Sequence, residues 1–218
     1  MNNDDKVKTE SIIFAAAMGE FLEKGYNGAR MQAIADKAGI NKAGINKALL
    51  HYYFKGKDDL YKSIFKKVFA DFFNLIIINT DQNLSFKEYL KAFIANYIDN
   101  LSQRQDLLKF LIWELENEAK SIGEYIRSLH NESSPAVGFP IFKKINEAKE
   151  RGEIRELNTF HLIISIIGMC LYPFMAQSII KNIWVEVDLN SESFRQQRKE
   201  EVFQLIWNGI QKGEANGD

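Results

Sequence analysis

Apolar residues recur along most of this chain at spacings of three and four, the period of helices with one buried face. Ile13, Ala17 and Phe21, flanked by Phe14 and Met18, predict a helix over about 9–24, with Gly25 as its left-handed cap and Tyr26 folding back onto it. Met31, Ile34, Ala35 and Ala38 predict a short second helix over about 30–38, stopped by Gly39. Leu50 and the run Tyr52, Tyr53, Phe54 predict a third over about 47–54, with Asn46 as its N-cap. Lys55, Gly56 and Lys57 interrupt the pattern. Asp58 and Asp59 then open a long fourth helix to about 79 through Leu60, Ile64, Val68 and Phe72, acids being favoured in a first turn. Further helices are expected over about 85–101, 106–118, 121–130, 141–150, 158–182 and 191–212. The alternation at 184–189 is too short and solitary to build a sheet.

The fold class is therefore all-α, with an N-terminal three-helix bundle over 1–57 and a larger helical body over 58–218. Composition agrees, since 46% hydrophobic residues with only 3 prolines and 13 glycines in 218 residues suit long helices. Charge adds more. The totals nearly cancel, 28 basic against 29 acidic residues, but between Arg30 and Lys57 stand Arg30, Lys37, Lys42, Lys47, Lys55 and Lys57 against Asp36 alone. One end of the molecule should therefore attract phosphate.

The single Cys170 excludes a disulfide framework and a cysteine metal site, which fits a reducing cytoplasm. The polar opening residues lack the apolar core of a secretion signal. The stretch 160–180 is long enough to span a bilayer, but His161, Ser165, Pro173, Gln177 and Ser178 interrupt it, and a helix buried in a protein interface accounts for it better.

Three short helices, the third followed by basic residues, form the unit that places one helix in a DNA major groove about 12 Å wide. Leu50 and Phe54 would hold this helix from behind, with Lys47, His51 and Tyr52 pointing to phosphates or bases and Lys55 and Lys57 near the backbone. The residues Phe21, Gly25, Tyr26, Ile34, Ala35, then Ala43, Gly44, Ile45, Asn46, Lys47, Leu50, Tyr53, Phe54, Lys57 and Leu60 resemble the N-terminal signature of the tetracycline-repressor (TetR) family. That resemblance implies a homodimer, a DNA-contacting third helix, and a C-terminal domain that binds a small-molecule inducer and forms the dimer interface. It nominates Arg30, Gln32, Asn46, Lys47, His51, Tyr52, Lys55 and Lys57 as DNA contacts.

Three departures from the signature matter. Ala29 replaces the usual phosphate-binding threonine, so Arg30 or Gln32 would have to make that contact. His51 stands where many members have tyrosine. Residues 38–42 read Ala-Gly-Ile-Asn-Lys and residues 43–47 read the same again, a tandem duplication in the turn of the helix-turn-helix. If the extra residues loop out, Asn46 keeps its cap. If they become helical, Asn41 becomes the cap, the reading helix gains about 7.5 Å, and Gly44 inside it costs about 1 kcal/mol.

Aromatics in the body suggest a pocket wall for an apolar or aromatic inducer: Phe65, Phe69, Phe72, Tyr97, Phe110 and Trp113. Glu114 follows Trp113 in an apolar run, although an acid on a helix is more often exposed. The helices at 158–182 and 191–212 suit pairing with a second copy, Gly168, Met169, Cys170 and Ala176 permitting close approach and Val202, Phe203, Leu205, Ile206 and Ile210 giving a face. The partners implied are double-stranded operator DNA, a small inducer and a second copy of the chain, with no cofactor, metal or membrane. No catalytic motif is present. The alternative is a ligand-binding helical dimer whose DNA recognition the repeat has impaired.

Overall fold

A computed structural model describes residues 3–38, 47–78, 80–81, 83–116, 123–124 and 140–212. Among these, helices are α1 (Asn3–Gly28), α2 (Met31–Lys37), α3 (Lys47–Tyr53), α4 (Lys57–Ile78), α5 (Phe86–Gln103), α6 (Gln105–Glu116), α7 (Pro140–Glu150), α8 (Thr159–Met175), α9 (Gln177–Ile183) and α10 (Glu192–Ile210). The β structure among the described residues is one isolated bridge, Ile154 with Gln211. The fold is all-α as expected. The helix expected over 121–130 and the repeat residues 39–46 fall largely or wholly outside the described residues, so neither arrangement of the duplication is tested.

The chain divides into two compact units, Met1–Ala70 with Lys109–Gly123, and Asp71–Leu108 with Glu124–Asp218. In the first, Ile13, Ala17, Phe21, Ile34, Leu50, Phe54, Leu60 and Ile64 are buried, each such large side chain contributing roughly 1.5–3 kcal/mol when fully removed from water. Gly25 interrupts α1 at φ 66°, ψ 175°, a backbone state that a residue with a Cβ adopts only under strain. The amide of Ala29 closes back on the Gly25 carbonyl at 3.1 Å. Tyr26 then stacks on Phe21 with centroids 6.2 Å apart, the expected fold-back. Lys37 clamps α2 to α1 through Glu20 at 2.6 Å and Glu23 at 2.7 Å. Glu20 is buried, so this pair is screened less than an exposed one.

In the second unit, Ser85 opens α5 with a capping box, its hydroxyl accepting from the Glu88 amide while the Glu88 side chain reaches back to the Ser85 amide. Asn158 and Ser191 are the N-caps of α8 and α10, their side chains accepting from His161 N at 3.2 Å and Phe194 N at 3.1 Å. α5 is the hub, packing against α7, α8 and α10. Leu90, Ile94, Ile98 and Leu101 of α5, and Val202, Phe203, Ile206 and Ile210 of α10, are buried within this unit. The α10 stripe expected to face a second copy is thus largely used internally, leaving Leu205 exposed. Cys170 is fully buried, and burial pushes its thiol up to about 12.

The helix expected over 158–182 is instead two, α8 and α9, bent by 65° at Ala176. Pro173 lies inside α8 and has no N–H to give the Met169 carbonyl four residues earlier. Arg198 of α10 supplies the missing donor, its guanidinium meeting that carbonyl at 2.7 Å. No single described helix is long and apolar enough to cross a membrane; α8 and α9 reach that length only together, across the bend.

Candidate functional site

The DNA-facing candidate is α3. Leu50 is fully buried and the Phe54 amide closes on the Leu50 carbonyl at 2.9 Å, while Phe14 of α1 meets Phe54 edge-on at 5.7 Å. Behind this anchor the helix turns His51 and Tyr52 to solvent, Tyr52 being 75% exposed. Amphipathic spacing explains the split, because Leu50 and Phe54 share one face at a spacing of four.

Arg30 sits at the N-cap of α2 with its side chain exposed and making no cap bond. Gln32 is exposed and donates to Asp36 Oδ1 at 3.1 Å. Ala29, at the position of the usual threonine, is buried. Lys55 is exposed, and its backbone amide donates to Asp59 Oδ2 at 3.1 Å, tying down the entry to α4. Lys57 turns inward. Its ammonium stands 4.5 Å over the Tyr26 ring and donates to the Tyr26 and Ala29 carbonyls at 3.0 and 3.2 Å, leaving one of three donors for a phosphate. Asn46 and the Lys47 side chain lie outside the described residues.

The aromatic residues expected to line one wall fall into separate groups. Phe72 meets Tyr97 edge-on at 5.3 Å in the second unit. In the first, Phe65 stacks on Phe69 at 4.3 Å, and Phe110 and Trp113 gather around Tyr61 at 5.7 and 5.2 Å. Glu114 is buried rather than exposed, accepting a hydrogen bond from the Tyr61 hydroxyl at 3.0 Å. Burial, with this carboxylate beside it, drives the Tyr61 phenol well above its ordinary range, so it stays a donor.

Beside this cluster a half-open cleft of about 200 Å³ is lined by Leu22, Gly25, Tyr26, Tyr61, Lys109, Phe110 and Trp113, among others. The Trp113 indole nitrogen lies 3.2 Å from where a Cβ on Gly25 would stand. Sequence reasoning missed Tyr61, Lys109 and the use of Gly25 as a seat for Trp113. The spacing of Tyr61 from Leu60 and Phe65 carried part of that signal; the approach of Trp113 left none. Among the described residues no group of three His, Cys, Asp or Glu side chains could hold a metal ion.

Residues 13–64 match the N-terminal domain described as bacterial regulatory proteins, tetR family. The chain is 28% identical over 133 residues to the HTH-type transcriptional repressor SCO4008 of Streptomyces coelicolor, covering 57% of this chain and 63% of that protein, just under two thirds of its length. It is 24% identical over 182 residues to the "Probable HTH-type transcriptional regulator YttP" of Bacillus subtilis, covering 82% of this chain and 83% of that one. In fold it resembles the transcriptional regulator FadR of Bacillus subtilis, solved in complex with stearoyl-CoA, with TM-score 0.68 at 21% identity, covering 92% and 98% of the two chains. The α1–α3 head, its signature residues and these relatives lead to one assignment: residues 13–64 form the N-terminal domain of the tetR family of bacterial regulatory proteins.

Proposed function

We propose that this chain is a homodimeric, ligand-responsive transcriptional repressor that reads operator DNA with α3 and releases it when a small molecule binds the helical body. The observation that carries the reading is the division of α3 into a buried anchor, Leu50 with Phe54, and a solvent face bearing His51 and Tyr52. Arg30, Gln32, Lys47 and Lys55 supply phosphate contacts around it, and Asn46 is assigned a further DNA contact. Lys57 is chiefly a brace between α4 and the end of α1, with one donor left for DNA.

Dimerisation is supported by apolar side chains left on α8 and α10, Phe160, Ile164, Tyr172 and Leu205, each at least half exposed. The repressor named in Streptomyces supports the sign of regulation, and the stearoyl-CoA complex of FadR makes a long-chain acyl-CoA the first effector to try. Release follows if the effector binds better to a dimer whose heads do not match the operator spacing.

A second reading, a ligand-binding dimer with impaired DNA recognition, is favoured by the duplicated Ala-Gly-Ile-Asn-Lys at 38–47. Fluorescence anisotropy of the DNA upstream of the chain's own gene, against a scrambled duplex, separates the two. A repressor prefers its site by about a thousandfold or more and loses affinity steeply between low and physiological salt. Adding stearoyl-CoA then lowers that affinity. Equal binding to both duplexes supports the second reading; specific binding that a panel of acyl-CoA, fatty-acid and aromatic effectors leaves unchanged removes the ligand-release mechanism.

A further inference from the structure

The cleft beside α1 differs in chemistry from an ordinary packing defect. Its walls are mainly aromatic and aliphatic, and no carboxylate lines it. The buried acid on the same helix, Glu114, is already engaged by the Tyr61 hydroxyl. Lys109 at the rim is exposed and has no ion pair among the described residues. An apolar cavity of ~150 Å³ is enough to take a benzene ring, so a cleft of about 200 Å³ holds a ring and one substituent.

We propose that this cleft binds a small aromatic carboxylate, its ring against Tyr26, Phe110 and Trp113 and its carboxylate on the Lys109 ammonium. Both walls of the ring site then belong to the same compact unit as α3, unlike the Phe72–Tyr97 pair. Tyr26 connects the cleft to the DNA-binding head. Its ring and carbonyl hold the Lys57 ammonium, and it follows Gly25, where α1 is interrupted. A ligand pressing on Tyr26 and Trp113 therefore acts on the joint that seats α1 against the start of α4, and changes operator affinity from within the head. The regulatory consequence rests on the repressor reading; the binding does not.

The site is tested in the full chain carrying Trp184→Phe and Trp207→Phe, which leaves Trp113 as the fluorescent reporter. The probes are 4-nitrobenzoate, its neutral amide 4-nitrobenzamide and the cation 4-nitrobenzylamine, nitroaromatics that quench an adjacent indole. Saturable quenching by the carboxylate is expected, with the amide about fivefold weaker, the value of a rim ion pair, and the amine weaker still. Lys109→Ala should bring the carboxylate to the level of the amide. Linear, unsaturated quenching, equal affinity for carboxylate and amine, or an unchanged carboxylate affinity in Lys109→Ala would overturn the site. Because this titration contains no DNA, its failure leaves the repressor reading standing. Saturable binding that does not alter affinity for the upstream DNA would overturn the regulatory consequence alone.

Discussion

Replacing Arg198 by methionine removes the guanidinium donor to the Met169 carbonyl while keeping an aliphatic side chain of similar length. A hydrogen bond from a charged donor is worth about 1.5–3 kcal/mol, and this one is half-buried. Arg198 also has a buried Nε without an acceptor, a penalty that methionine relieves, so the lower end, about 1.5 kcal/mol, is expected. The cause is Pro173, and Pro173→Ala restores an amide able to close on the same carbonyl. In that background Arg198→Met should cost about 1 kcal/mol less, a coupling of a size that double-mutant cycles resolve. Urea unfolding of the four proteins at one fixed protomer concentration measures it, the fixed concentration being needed because the proposed dimer would contribute to apparent stability. Additive losses, with coupling below roughly 0.5 kcal/mol, would refute the idea that the guanidinium substitutes for the proline's missing N–H.

Gly25→Ala should destabilise by roughly 1–3 kcal/mol, since the new Cβ meets both a positive φ and the Trp113 indole; a melting temperature equal to that of the parent chain would count against it. Tyr61→Phe removes one hydrogen bond to the buried Glu114 carboxylate and should cost about 1–3 kcal/mol in urea; a denaturation midpoint equal to that of the parent chain would count against it. Hydrogen bonds from Lys24 and then Lys37 lower Glu23 from 4.5 to about 2. A depressed carboxylate stabilises the fold above its unfolded value and loses that contribution as pH falls from about 4.5 toward 2. Melts across this window should therefore be flatter for Glu23→Gln than for the parent chain; parallel curves would contradict the linkage.

Much of the head was legible because three amphipathic helices repeat one rule, apolar residues three and four apart, and glycine or a charged run breaks the period near the end of each. The family signature added what periodicity could not, namely the expectation that the solvent face of α3 meets DNA. The structure diverged where the decisive partner lies far along the chain. Lys57 looked like a phosphate ligand, yet the carbonyls of Tyr26 and Ala29, about thirty residues earlier, turn it inward. Glu114 looked like a surface acid until Tyr61 of α4 met it. The apolar run at 158–182 reads as one helix because hydrophobicity continues through Pro173, and the cost of that proline is visible only once Arg198 is seen on the Met169 carbonyl. The α10 stripe could not be divided by sequence between a second copy and α5, since either burial leaves the same period.

The central claim, that α3 reads DNA through its solvent face, is tested most directly by comparing the parent chain with Tyr52→Ala on the upstream DNA and on a scrambled duplex. Tyr52 is largely exposed and outside the α3 anchor, so the variant should fold as the parent does. The account predicts a loss of about tenfold or more on the specific site, the value of one good base contact of roughly 1–3 kcal/mol, with little change on the scrambled duplex. Equal affinities of the two proteins for both duplexes, for Tyr52→Ala and again for His51→Ala, would contradict it.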